Sequence, residues 1–183
     1  MKIIRRIIVI IVILLALAGL GYLAVMKMYP VKYKTVIETY SREYGLREEL
    51  VFGVILTESG FRADAVSNKS AYGLMQLVKQ TADWGAEQTG MADYDFSRVL
   101  EPDINIRLGC WYLARLIKQF GSEETALAAY NAGSGNVASW LRDSAYSSDG
   151  ATLDSIPYKE TENFVKKVMN SAKIYGYILK FKG

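Results

Sequence analysis

The sequence has no histidine, one cysteine and three prolines among 183 residues. Without histidine there is no Ser-His-Asp or Cys-His nucleophilic site, no HExxH zinc site and no imidazole acid or base. A lone cysteine, Cys110, can form neither an intramolecular disulfide nor a multi-cysteine metal site. Chemistry must therefore run on carboxylates, hydroxyls, amides, tyrosines or lysines, with no metal and no cofactor. Gly/Ser-rich linkers, low-complexity tracts and internal repeats are also missing, so the chain holds few independent parts.

What the chain does have is one long apolar run. Ile7 to Met26 is 20 residues without a charge, and only Gly19 and Gly21 fall outside the apolar set. At 1.5 Å per residue that is about 30 Å of helix, one bilayer core. The first 30 residues hold four cations (Lys2, Arg5, Arg6 and Lys27) and no acid, so of the 22 cations 18 remain against 19 acids beyond Pro30. The formal charge of +3 thus belongs to the flanks of the run, and the basic footprint of a nucleic-acid binder is absent. Ala16-Leu17-Ala18 resembles a signal cleavage site. Apolar residues continue well past it, however, so an uncleaved anchor is expected. No cysteine lies nearby for lipid attachment. The expected organisation is 1–28 as N-terminal cytoplasmic tip and transmembrane anchor, 29–34 as a short linker, and 35–183 as one domain close to the membrane.

Beyond Tyr29-Pro30 the sequence reads as helices separated by Gly-bearing loops, with no sustained period-two alternation. Helices are expected over Lys34 to Tyr44, Arg47 to Ser59, Leu74 to Gly85, Ile104 to Phe120, Glu123 to Asn131, Gly135 to Leu141 and Tyr158 to Leu179. Several end at glycine, as C-terminal caps prefer, and Ser122 is placed to cap the helix that starts at Glu123. Asp143 to Ser155 is small and polar, the pattern of a mobile surface loop. The fold class is all-α around one core, preceded by a single N-terminal transmembrane helix.

Glu58 stands out among the carboxylates. Three, four and seven residues before it lie Ile55, Val54 and Val51, so it sits on the apolar stripe of its own helix. It also falls in the last turn, where the helix dipole disfavours an anion. Both effects raise a carboxyl pKa, as a general acid at neutral pH requires. Glycosidases usually pair two carboxylates about 5 to 10 Å apart. Glu160, with Phe164 one turn on, is the one other acid placed on an apolar stripe.

Five segments carry a resemblance: Thr57-Glu58-Ser59-Gly60-Phe61 followed by Ala65-Val66-Ser67, Gly73-Leu74-Met75-Gln76-Leu77, Glu101-Pro102-Asp103-Ile104-Asn105-Ile106, Ala129-Tyr130-Asn131-Ala132-Gly133, and Ile156-Pro157-Tyr158-Lys159-Glu160-Thr161. In this order and spacing they resemble the soluble-lytic-transglycosylase-type (SLT) family, in a membrane-anchored form, over about residues 35 to 177. The resemblance implies a lysozyme-like helical domain. It also implies cleavage of the β-1,4 bond between N-acetylmuramic acid and N-acetylglucosamine, with formation of 1,6-anhydromuramic acid. Glu58 matches the family's acid, which then acts as base, and Ser59 a neighbour that orients it. Tyr130 matches a tyrosine that bonds the acid, and Glu160 a structural acid that positions the site through Tyr130.

Along the implied cleft, Ser67, Tyr72, Gly73, Leu74, Met75, Gln76, Asn131 and Ala132 are the candidate substrate contacts. The Gln76 amide suits an N-acetyl sugar, whereas Asn131 has a plain alternative as a helix cap. Two departures stand out: Val78-Lys79 follows Leu77 where the family often has Met-Pro, and Phe164 replaces a common tyrosine. The implied partners are peptidoglycan glycan strands, the membrane through the N-terminal helix, and the cell-wall synthesis machinery. The implied location is the cell membrane, single-pass, with the domain on the extracytoplasmic side. The alternatives are a goose-type lysozyme-like hydrolase and a non-catalytic wall-binding scaffold of an envelope complex.

Overall fold

The computed structural model describes residues 2–182; Met1 and Gly183, the outer bounds of the expected segments, lie outside the described residues. The chain divides into two compact units, Met1–Lys32 and Tyr33–Gly183. The first is a single helix, α1 (Lys2–Met28). Ile3–Met28 is long and apolar enough to cross a membrane. It runs beyond Ile7 to Met26 because nothing at Ile3 to Arg6 interrupts helical geometry, and it ends before Pro30, whose ring disfavours the helical region for the residue before it.

The second unit is built on α2 (Lys34–Tyr44), α3 (Glu48–Ser59), α4 (Lys79–Gln88), α5 (Pro102–Phe120), α6 (Glu123–Ala132), α7 (Ser134–Leu141) and α8 (Lys159–Lys182). The bounds follow local chemistry. Pro102 opens α5 and Gly121 closes it in the left-handed region, while the Ser122 side chain accepts from the Thr125 amide at the start of α6. Leu50 to Ile55 are all fully buried, so α3 is central rather than amphipathic. It lies along α8, whose Phe164, Val165, Val168, Ala172, Tyr175 and Ile178 form a buried stripe at helical spacing. Phe52, Phe61 and Tyr175 pack ring on ring, with centroids 4.9 to 6.4 Å apart. Each such side chain removed from water stabilises the fold by about 1.5–3 kcal/mol. A smaller cluster of Leu77, Ala82, Ala86, Val99, Ile104 and Leu108 joins α4 to α5.

One expectation changes. Leu74 to Gly85 is not one helix: β1 (Ala71–Tyr72) pairs antiparallel with β2 (Leu77–Val78), and the helix begins at Lys79. Gly73 and Gln76 adopt left-handed φ of 77° and 49°. Tertiary partners capture the carbonyls a helix would need, since Ser59 donates to Leu74 O at 2.8 Å and Tyr130 to Met75 O at 2.7 Å. Asp143 to Ser155, expected as a mobile loop, is a loop without helix or strand. Asp149 there accepts from the Ala151 and Thr152 amides at 2.8 and 2.7 Å, and the Asp154 amide donates to Tyr146 O at 2.8 Å. Its own aspartates lace it into closed turns.

Candidate active site

Glu58 occupies the last turn of α3, two residues before the cap at Gly60, whose amide donates to Leu56 O at 3.1 Å. The residue is half-buried, and among the described residues it has no hydrogen bond or ion pair. Burial raises its pKa to about 8; the negative Glu160 adds to the rise and the positive Lys69 opposes it. At neutral pH the carboxyl therefore holds its proton, as the sequence pattern implied. Burial also raises the Tyr130 phenol well above its usual range, with the Glu58 charge as the second cause.

Two open cavities adjoin at Asn131 and Ala132. One, of about 520 Å³, is lined among others by Lys69, Pro157, Tyr158, Glu160 and Thr161. The other, of about 280 Å³, is lined by Gln76, Thr81, Tyr112, Tyr130 and Gly133. Glu58 lines neither, but Lys69 and Glu160 of the first act on its charge, and its own charge acts on Tyr130 of the second. A larger cavity of about 550 Å³, between Leu153–Ile156 and α8, shares no residue with these two.

The framework comes from buried polar contacts. Ser59, only 3% exposed, places its hydroxyl 2.8 Å from Leu74 O and 3.1 Å from Ile55 O, tying the end of α3 to the Gly73–Gln76 turn. Asn105 on α5 is fully buried. Its Oδ1 accepts from the Met75 amide at 2.8 Å, and its Nδ2 donates to Tyr72 O and Val99 O at 3.0 and 2.8 Å. Gly73 is required beside it, because a Cβ there would stand 2.3 Å from Asn105 Nδ2. Thr161 donates to Asn131 Oδ1 at 2.8 Å and ties α8 to α6.

Several expected roles change. Tyr130 does not bond Glu58: its hydroxyl donates to Met75 O. Glu160 does not reach the site through Tyr130 either, because its side chain is 68% exposed and pairs with Lys69 at 2.8 Å. The side chains of Leu74 and Met75 are fully buried and pack in the core. Ser67 Oγ accepts from the Lys69 and Ala71 amides and shapes a turn. The Gln76 amide nitrogen is spent on Gly73 O and Ala65 O at 2.8 and 3.1 Å, holding the strained turn it belongs to. Tyr72 packs edge-on against Phe96 at 5.1 Å. Asn131 and Ala132 remain where both cavities open.

Two residues at the site, Asn105 and Lys69, are given no role by the sequence pattern, although Asn105 stands in the Glu101–Ile106 segment. Asn105 carried a signal: an amide amid Ile104, Ile106 and Leu108 on an apolar helix. Lys69 carried none, because an exposed lysine in a polar turn is ordinary.

Residues 35–152 match the Transglycosylase SLT domain. The chain belongs to that family. Its SLT segment is similar to the "Soluble lytic murein transglycosylase" of Salmonella typhimurium, 33% identical over 154 residues, which are 82% of this chain and 24% of the relative. The "Membrane-bound lytic murein transglycosylase C" of Haemophilus ducreyi is 29% identical over 166 residues, covering 79% of this chain and 45% of that protein. In structure, the SLT fold here superposes on an inactive mutant of lytic transglycosylase Slt from Pseudomonas aeruginosa with a TM-score of 0.75 and 34% identity, covering 83% of this chain and 25% of that one. The 70 kDa soluble lytic transglycosylase of Escherichia coli gives a TM-score of 0.73 at 28% identity, covering 82% and 25%. The expected lysozyme-like SLT fold is thus the observed one. The chain spans about a quarter of the length of the soluble relatives it matches.

Proposed function

We propose that this protein is a membrane-anchored lytic transglycosylase of peptidoglycan. Glu58 donates its proton to the glycosidic oxygen between N-acetylmuramic acid and N-acetylglucosamine as the bond from that oxygen to C1 breaks. The resulting carboxylate then takes the proton of the muramic acid 6-hydroxyl while O6 bonds to C1. Water is not consumed, the product is a 1,6-anhydro sugar, and Glu58 ends protonated as it began. A single acid suffices because the substrate supplies its own nucleophile. The observation that carries this reading is a half-buried carboxyl, free of any ion pair among the described residues, whose pKa burial raises to about 8.

Within this reading Ser59 fixes the end of α3 beneath Glu58. Tyr130 acts at one remove by holding the Met75 carbonyl. Asn131, Ala132 and the exposed part of Gln76 line the path of the glycan. The printed names of the relatives, soluble and membrane-bound lytic murein transglycosylases, support the substrate. The apolar helix Ile3–Met28 supports a single-pass anchor with the domain on the wall side, where peptidoglycan lies, alongside the machinery that builds it.

Mass spectrometry of peptidoglycan digested by the full chain tests the reaction. Anhydro-muropeptides, one water lighter than hydrolysis products, are expected. Products at the hydrolytic mass would make the protein a lysozyme-like hydrolase, and no products at all would leave a binding scaffold.

A further inference from the structure

Asn131 stands where the two groove cavities meet and lines both. Its plain alternative role as a helix cap falls away, because α6 runs on through Ala132 and is capped by the Gly133 amide, which donates to Ala129 O at 2.8 Å. The Asn131 carboxamide turns instead to α8. Thr161 Oγ1 donates to Asn131 Oδ1 at 2.8 Å, across 30 residues of sequence. Thr161 lies in the first turn of α8 and is only 2% exposed, so packing fixes where its hydroxyl points.

That bond decides which end of the carboxamide faces the groove. Oδ1 is spent on Thr161. Nδ2 has no hydrogen-bond partner among the described residues, yet it is not one of the unpaired polar atoms sealed from solvent, which are Ser41 Oγ, Glu48 Oε1, the Tyr94 hydroxyl and Arg107 Nε. It therefore opens onto the cavities with two N–H donors. Its neighbours are already engaged. Gln76 Nε2 is held by Gly73 O and Ala65 O, and Lys69 by Glu160. The side-chain amide expected to read an acetamido group, Gln76, is thus spent, and the one left with open donors is Asn131. An amide that offers donors alone suits an acceptor that brings no proton of its own. On a glycan this is the acetamido carbonyl, whereas a hydroxyl brings a proton that needs a second acceptor.

We infer that Thr161 is a positioning residue that makes the groove selective for N-acetyl sugars: its hydroxyl holds Asn131 Oδ1 and thereby aims Nδ2 at an acetamido carbonyl of the glycan. The aim of the carboxamide stands on the structure, while the ligand rests on the function proposed above. A Thr161 that only tied α8 to α6 would affect every ligand alike.

The test compares chitotetraose, with an acetamido group on each ring, and cellotetraose, with a hydroxyl in its place, both neutral. Dissociation constants are measured by calorimetry on the full chain in detergent micelles. The native protein is expected to bind chitotetraose about tenfold tighter, the worth of about one hydrogen bond. Thr161→Val keeps the shape and drops the hydroxyl. The freed carboxamide then presents its oxygen as readily as its nitrogen, and the preference falls to about threefold or less. Thr161→Ser keeps the hydroxyl and the preference. Asn131→Asp keeps an acceptor for Thr161, loses both donors and abolishes the preference. The inference is overturned if the native protein binds the two oligosaccharides alike, if Thr161→Val keeps the native preference, or if it weakens both in step. Peptidoglycan cut by a protein without the preference would sink this inference alone. An intact preference in a protein that cuts no peptidoglycan would sink the proposed reaction and leave the inference standing.

Discussion

Asn105 Oδ1 accepts a hydrogen bond from the Met75 amide at 2.8 Å across 30 residues of sequence, and the same carboxamide spans two further carbonyls, Tyr72 O and Val99 O. One buried side chain on α5 thus satisfies the backbone of the turn that Ser59 ties to the end of α3. Replacing it by alanine strands one amide and two carbonyls away from water. Asn105→Ala is expected to destabilise the domain by about 2–4 kcal/mol, given about 1–3 kcal/mol per buried group left unpaired and partial relief by water entering the gap. Urea unfolding followed by circular dichroism measures it. A loss under half a kcal/mol would mean that the turn holds itself.

Much of this arrangement was legible beforehand. Helix bounds came out within a residue or two wherever a cap marked them, as at Tyr44-Gly45 and Ser122-Glu123, because capping is local chemistry. Glu58 was legible because its apolar neighbours at 51, 54 and 55 imply burial whatever packs against them. The Gly73–Gln76 turn was not. Leu74, Met75 and Leu77 have helical propensity and apolar spacing, and what stops the helix there is Ser59, Asn105 and Tyr130 taking its backbone groups from three other elements. Tertiary hydrogen bonds over such separations leave no periodic trace. The Lys69–Glu160 pair was hidden for the same reason.

Tyr130 gives a second expectation. Its hydroxyl donates to Met75 O at 2.7 Å and not to Glu58, so it supports the turn and has no direct hold on the acid. Tyr130→Phe keeps the ring and its contact with Tyr112 at 5.3 Å and removes one hydrogen bond. Stability is expected to fall by about 1 kcal/mol. Turnover should fall about tenfold or less, against the roughly 10²- to 10⁴-fold of a lost proton transfer. Steady-state assays on purified sacculi decide. A fall in the larger range would mean that the phenol bonds Glu58 once glycan is bound.

Glu58 links activity to pH. As an acid that must be protonated, it predicts a kcat/KM that declines as pH rises through about 8. Glu58→Gln is expected to lower turnover by about 10²- to 10⁴-fold at neutral pH. Activity within tenfold of native in that variant would end the assignment.

The same carboxyl links stability to pH, with a definite sign. Its folded pKa, about 8, lies above the unfolded value near 4.5, so the folded state holds the extra proton between those limits. Stability is thus full below about 4.5 and is lost as pH climbs through 8. Glutamine cannot ionise. Glu58→Gln should therefore match the native protein near pH 5 and exceed it by about 1–2 kcal/mol at pH 9, a modest figure because the carboxyl is half-buried and water screens its charge. Thermal melts at the two pH values test this, and equal gains at both would show that the ionised carboxylate carries no penalty.

Gly53 sits where α3 packs against the backbone of α8. A Cβ there would lie 2.8 Å from Val168 O and 3.2 Å from the Ala172 amide nitrogen, both backbone atoms of a long helix that cannot rotate aside as a side chain would. Gly53→Ala must push the two helices apart. The overpacking costs about 1–3 kcal/mol and outweighs the roughly 1 kcal/mol by which alanine favours a helix. Gly176, on the same α8 with nothing within 4 Å of a built Cβ, is the natural control, and Gly176→Ala should gain about 0.5–1 kcal/mol. Because α3 carries Glu58 and α8 carries Glu160, only the first substitution should also lower turnover. Opposite shifts in melting temperature, with turnover lost in Gly53→Ala alone, are the expected pattern. If both variants gain stability, the α3–α8 contact is looser than these distances imply.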